Sequence, residues 1–289
     1  MSRTEHLVTA ADLAEELAGD GSPLLLDVRW HLADAPGAGR VRYAAGHLPG
    51  ARFLDLEAVL TEHTGDPRDG RHPLPDPATL TAGLGALGVG ADSDVVVYDE
   101  AGSFAADRAW WVLRWAGIRT RVLDGGITAW SRWTARGGEG EGGDLERGDP
   151  APWAPTTPTL LTGRMPSITA DEAARWAEHG TLVDVRAGAR YRGETEPLDP
   201  RAGHIPGAVN ALHAAGLFTP DGHLPSEEVL RGAAGDLTDE AELAAYCGSG
   251  VSAAHSVLAL AVLGVDAALF PGSWSAWSNH PARPAATGP

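Results

Sequence analysis

The apolar and polar positions of this chain follow one pattern twice. Thr9-Ala10-Ala11-Asp12 opens an amphipathic stretch ending near Gly19, and Thr169-Ala170-Asp171-Glu172 opens another ending at Gly180. A hydroxyl followed three residues later by an acid marks a capped helix start, because the side-chain oxygen can accept from a free N–H of the first turn. A short apolar run follows each helix: Leu24-Leu25-Leu26-Asp27-Val28-Arg29 and Thr181-Leu182-Val183-Asp184-Val185-Arg186. These read as strands. Each then reaches a turn, Gly46-His47-Leu48-Pro49-Gly50-Ala51 or Gly203-His204-Ile205-Pro206-Gly207-Ala208. The aspartate-to-histidine spacing is the same in both halves (27 to 47, 184 to 204).

The match continues at a slightly different offset. Val95-Val96-Val97-Tyr98-Asp99 corresponds to Leu243-Ala244-Ala245-Tyr246-Cys247, and helix-like runs follow from Ala105 to Gly117 and from Ser252 to Gly264. Each half closes on a glycine turn and tryptophan, Asp124-Gly125-Gly126 to Trp130 and Pro271-Gly272-Ser273-Trp274 to Trp277. The first half carries a longer insert, Thr61 to Pro77, rich in Pro, Gly, Asp and His, which reads as a loop reaching toward the other half. Strands alternating with helices at these spacings predict an α/β fold, a mostly parallel sheet flanked by helices in each half. Arg136 to Pro158, with its glycine and proline runs and no apolar period, reads as an exposed linker. The expected division is 5–135, a linker over 136–165, and 166–282.

Composition narrows the function. The 289 residues carry a net charge of −17 with no basic stripe, which argues against nucleic acid or an anionic membrane as partner. No signal core or membrane-length apolar run is visible, so a cytoplasmic protein is expected. The histidines lack metal-ligand spacing, and a single cysteine excludes a disulfide framework or a cysteine-rich zinc site. No metal and no cofactor is expected.

That cysteine is the best candidate for chemistry. Cys247 stands in Tyr246-Cys247-Gly248-Ser249-Gly250-Val251-Ser252, between a strand-like and a helix-like run. Free cysteines are more often small buried hydrophobes. Here, however, two glycines and two serines follow, poor core residues suited to a backbone that curls around an anion. A strand-to-helix turn aims N–H groups and a helix N-terminus at the sulfur, favouring thiolate. The first half has Asp99 at this position and lacks the Gly-Ser-Gly loop, so it is expected to have lost chemistry and kept packing.

Taken together, the Asp-x-Arg strand ends, the His-x-Pro-Gly-Ala turns, the run from Tyr98 to Trp111, the Asp-Gly-Gly turn and the cysteine loop resemble the tandem-domain rhodanese sulfurtransferases over about residues 5–282. The resemblance implies two rhodanese-like domains, the second catalytic. It implies a ping-pong transfer in which Cys247 takes a sulfane sulfur as a persulfide and passes it to cyanide or a thiol, with thioredoxin among the candidate acceptors. The uncharged loop resembles that of the 3-mercaptopyruvate enzymes more than the cationic loops of the thiosulfate enzymes. On this likeness Ser249 falls on the catalytic serine, His47 on its partner histidine and Asp34 on a candidate acid. Arg190 and Arg201 fall on the arginines for the substrate carboxylate, and Gly248, Gly250, Val251 and Ser252 form the substrate-binding loop. The expected donor is 3-mercaptopyruvate, with thiosulfate as the alternative.

Other features have structural readings. Arg29 and Arg186 repeat although only one half has the cysteine, which favours pairing with Asp27 and Asp184. His204 repeats His47. Trp110 and Trp111 fit core positions of a helix, Trp30 could wall a cleft, and Asp99 could cap the helix after it. A cysteine phosphatase would need an arginine six residues after the cysteine, where Ala253 stands. A non-catalytic persulfide carrier or sensor would use the same cysteine.

Overall fold

The computed structural model describes residues 3–137, 144–150 and 152–289. Among these residues the first half holds β1 (Leu7–Val8), β2 (Leu24–Asp27), β3 (Arg52–Phe53), β4 (Asp94–Tyr98) and β5 (Arg119–Leu123). The second holds β6 (Thr181–Asp184), β7 (Val209–Asn210), β8 (Leu243–Tyr246) and β9 (Ala268–Leu269). Their orders are β1-β5-β4-β2-β3 and β7-β6-β8-β9, and every pairing is parallel. The two sheets superimpose in topology, with Asp27 opposite Tyr98 in one and Asp184 opposite Tyr246 in the other. The expected α/β architecture, one parallel sheet per half, is what the chain adopts.

The repeated polar residues explain why so short a set of strands is fixed in place. Arg29 forks onto Asp27 and donates to Gly46 O at 2.6 Å, and Arg186 forks onto Asp184 and donates to Gly203 O at 2.6 Å. Both pairs are buried, so each guanidinium must be matched by a carboxylate and carbonyls. Tyr98 Oη accepts from Leu48 N at 3.0 Å and Tyr246 Oη from Ile205 N at 3.1 Å, tying each central strand to its histidine turn. Thr169 makes a full capping box with Glu172, and Thr9 accepts from Asp12 N.

The helices Ala105–Trp115 and Ser252–Val262 pack on each other between the sheets. One apolar core runs through them, from Leu26, Val97, Trp110 and Trp111 to Val183 and Leu258. The halves are therefore fused through a shared interior. The outer faces close over separate clusters around Trp130 and around Trp274 and Trp277. The connecting segment is mostly exposed, as expected, but it is tethered along the first half: Thr156 N donates to Gly85 O, Leu161 N to Ala116 O, and Trp153 lies under Arg52. Residues 138–143 of that glycine-rich stretch fall outside the described residues. Among the described residues no helix is long and apolar enough to cross a membrane, and no cluster of metal-ligating side chains occurs.

Candidate active site

β8 ends at Tyr246, and Cys247 begins the turn into the helix Ser252–Val262. Gly250 adopts φ +78°, and its N–H donates to Cys247 Sγ at 3.1 Å. Alanine there would force strain, and its Cβ would press on Pro271 O with Pro271 Cα at 3.1 Å. The loop is held from behind: Cys247 N donates to Ser273 Oγ at 3.1 Å, Trp274 N to Cys247 O at 3.0 Å, and Ser275 N to Gly248 O at 2.9 Å. Ser273 takes φ +53°, an uncommon conformation for serine, and its buried hydroxyl also donates to Phe270 O. Strain kept at such a position is matched by the hydrogen bonds that hold the cysteine loop.

The sulfur faces a cleft of about 550 Å³ between the halves. Gly248, Ser249, Val251, Ser252 and Arg190 line it beside Cys247, while the first half contributes Trp30, His31, Arg71 and Phe104. The structure thus brings together most of the residues singled out on the second half, and Trp30 does wall the cleft. Gly250 lies beneath the sulfur, as the donor described above.

Three expected site residues are placed elsewhere. His47 is buried in its turn, stacked on Tyr43 at 3.9 Å, with Nδ1 2.9 Å from Tyr43 O. His204 does the same with Tyr191, at 3.7 Å and 2.8 Å. Such an arrangement, found in both halves, locks a turn; among the described residues lining the cleft His47 is absent. Asp34 pairs with Arg42 and accepts from His31 N, and does not meet His47. Arg201 is also absent from the cleft lining: its guanidinium donates to the carbonyls of Trp277, Ser278, His280 and Arg283, binding the C-terminal segment.

Three residues escaped the sequence reading. His72, in the insert, pairs with Glu57 at 3.2 Å. It lines a second cavity of about 500 Å³ that shares Trp30, His31, Leu32 and Arg71 with the cleft. Burial pushes His72 below the usual histidine range against the pull of Glu57. Arg108 is fully buried, donating to His72 O at 2.9 Å and Gly250 O at 3.3 Å. Burial lowers it to about 10, opposed by the neighbouring Cys247. Arg71 reaches the cleft from the same insert, whose expected path toward the other half is the one observed. The insert's composition and the arginine of the Tyr98–Trp111 run were the only signals that pointed to these residues.

The polar end of the cleft is a chain of ion pairs. Arg190 Nη2 meets Glu196 at 2.6 Å and Asp199 at 3.2 Å, Arg71 meets the other oxygen of Asp199, and Arg186 spans Asp184 and Glu196. Burial pushes the Asp199 carboxyl up, and Arg71 resists this.

The first half repeats the loop without its reactivity. Gly102 has φ +75°, and Asp99 O accepts from Ile127 N as Cys247 O accepts from Trp274 N. The left-handed glycine and the anchored carbonyl are therefore shared although the Gly-Ser-Gly sequence is not; the side chain, the bond to it from the glycine N–H and the space above it differ. Asp99 accepts from Ala106 N at 2.9 Å, capping the following helix, and only about 20 Å³ remains beside it.

Comparison with known proteins agrees with this geometry. The rhodanese-like domain family matches residues 9–132 and 169–280. A Mycobacterium tuberculosis protein named as a thiosulfate sulfurtransferase is 42% identical over 99% of both chains. A Pseudomonas aeruginosa protein named as a 3-mercaptopyruvate sulfurtransferase is 42% identical over 98% of both. The crystal structure of the Escherichia coli 3-mercaptopyruvate enzyme superimposes with a TM-score of 0.78 at 31% identity, covering 93% of this chain and 98% of that one. With a single thiol set in a strand-to-helix loop of the second of two such domains, the chain belongs to the rhodanese family as a tandem-domain sulfurtransferase.

Proposed function

We propose that the protein moves sulfur from 3-mercaptopyruvate to cyanide or a thiol through a persulfide on Cys247. Residues 166–282 carry the chemistry, and 5–135 complete the cleft. The Cys247 thiolate attacks the donor sulfur. A new S–S bond forms, the C–S bond breaks, and its electron pair leaves as pyruvate enolate, which takes a proton at carbon. The acceptor then attacks the outer sulfur of the persulfide and regenerates the thiolate. The Gly250 N–H supports negative charge on Cys247 Sγ in both steps. Ser249 offers a hydroxyl to the departing enolate, and Arg190 takes the carboxylate. The pair of buried His72 with half-buried Glu57 adjoins this site as a histidine–carboxylate couple, the part first expected of His47. A lone thiol that must stay unoxidised to attack the donor suits the cytoplasm, where a dithiol such as thioredoxin can take the outer sulfur from the persulfide as acceptor.

The observation that supports the donor is charge balance. The guanidinium groups of Arg71, Arg186 and Arg190 are matched by Asp199, Asp184 and Glu196, and residues 248–252 carry no charge. Such a site holds a monoanion through directed hydrogen bonds, whereas a dianion gains most from a net positive field. Thiosulfate is the second reading, favoured by the approach of two arginines to Gly248. Steady-state kinetics with each donor and cyanide decide between them. The expected result is a higher kcat/KM for 3-mercaptopyruvate, with Ser249→Ala reducing turnover of that donor more than of thiosulfate. A clearly higher value for thiosulfate would overturn the donor, leaving sulfur transfer intact.

A further inference from the structure

A Cβ built on Gly248 would meet Arg71 Nη2 at 3.1 Å and Arg190 Nη1 at 3.4 Å. Two guanidinium groups, one from each half, thus converge over the residue next to the thiol. Asp199 sits between them with one oxygen toward each. The nitrogens they use for Asp199 are Arg71 Nη1 and Arg190 Nη2; those nearest Gly248 are the others. Among the described residues neither Arg71 Nη2 nor Arg190 Nη1 has a hydrogen-bond acceptor. The carboxylate holds the back of the pair and leaves its front N–H groups aimed into the cleft.

Arg71 is also held in register with the cysteine loop by its backbone. Its N–H donates to Ser275 Oγ at 3.1 Å, and Ser275 N donates to Gly248 O at 2.9 Å, so one serine links the two residues. The next residue, His72, is linked to Gly250 through the two arms of Arg108. Residues 71 and 72 of the insert are thereby registered on 248 and 250 of the loop. A cation needed only to fasten the halves would not require an unfilled nitrogen beside the thiol. A cation meant for a ligand needs this kind of preorganisation.

We infer that Arg71 is a donor-binding residue supplied by the first half: with Arg190 it grips the oxyanion head of the sulfur donor. The head is a carboxylate in 3-mercaptopyruvate or a sulfonate-type group in thiosulfate. This rests on sulfur transfer at Cys247 but not on which donor is preferred. Because it acts on the donor, Arg71 matters in the first half-reaction and not in the second.

The test separates the half-reactions. Arg71→Ala and Arg71→Lys are compared with wild type for donor KM and kcat, using 3-mercaptopyruvate and thiosulfate in turn. The preformed persulfide of each protein is then mixed with cyanide, and thiocyanate release is timed. Lysine keeps the charge opposite Asp199 but loses the fork, so it controls for the fastening of the halves. Both variants should raise KM for the donor the wild type prefers by about tenfold or more, the usual worth of a charge-assisted hydrogen bond. Their cyanide step should stay within about twofold, and Arg71→Lys should keep the wild-type Tm. An unchanged donor KM in both variants would overturn the assignment. So would equal losses in both half-reactions, the signature of a strap between the halves. A wild type that prefers thiosulfate would refute the 3-mercaptopyruvate proposal while leaving this one standing.

Discussion

The cysteine loop of the second half and the aspartate loop of the first are built on one backbone. Gly250 and Gly102 share the left-handed conformation, and both loops hang from a central strand whose tyrosine grips the histidine turn. They differ in what lies above. Over Cys247 the insert of the first half arches across and leaves about 550 Å³. Over Asp99 the segment around Gly222 and His223 closes down: a Cβ on Gly222 would meet Ala101 Cα at 2.9 Å, and one on Gly125 would meet His223 Nδ1 at 2.8 Å. The fold supplies a strand-to-helix turn with a left-handed glycine twice. Access and a nucleophile are supplied once, and each half provides the cover for the other's loop.

Alanine at the paired glycines breaks the comparison most sharply. Gly250→Ala should lower kcat on the order of 10²-fold, because the strained, crowded residue pulls its N–H away from the sulfur. Gly102→Ala meets nothing within 4 Å, so it should cost only about 1–2 kcal/mol of stability from its φ, and although Gly102 lines the cleft it holds no bond to the sulfur, so kcat should fall far less than in Gly250→Ala. Parallel kinetics and denaturant melts read both effects. Equal kinetic losses would mean that the two loops do not differ in function.

The buried acid offers a second contrast. Burial, reinforced by Asp107, pushes Asp99 up from 3.8 to about 7. The folded state then binds the Asp99 proton more tightly than the unfolded chain, so this group makes stability fall as pH rises from about 4 to about 7. Asp99→Asn removes that slope and should stabilise the protein above pH 7 by at most about 4 kcal/mol. Unfolding curves from pH 4 to 8 that keep the wild-type slope would refute it. The smallest effect expected is from Asp99→Cys in a Cys247→Ser background. The thiol would sit on a properly curled turn with no cleft above it and Glu100 alongside, and donor-dependent thiocyanate production should stay at background. Appreciable turnover would show that the turn alone suffices.

Local patterns made the repeat, the parallel sheets and the cysteine loop legible, because caps, strand ends and glycine turns are written in neighbouring residues. Of what crosses between the halves only the reach of the insert was legible, and its contacts were not. Arg71 reaches Ser275 over 204 positions and Arg108 reaches Gly250 over 142, and no spacing along the chain encodes such contacts. His47 lies away from the cleft for a related reason. Its turn is the most regular motif in the chain, and that regularity serves the turn itself, as His204 demonstrates. Two histidines with carboxylate partners stand at or beside the cleft, His31 with Glu100 and His72 with Glu57; His72 lies in the insert, where one half has no counterpart to compare with the other.

The central claim is that Cys247 alone carries the transferred sulfur. Intact-mass measurement after incubation with donor, followed by removal of excess donor, tests it directly. Wild-type protein should gain one sulfur atom and lose it on addition of cyanide, with thiocyanate released in equal amount, and Cys247→Ser should gain none. A sulfur adduct on Cys247→Ser, or sulfur transfer at near wild-type rate without the thiol, would contradict the account.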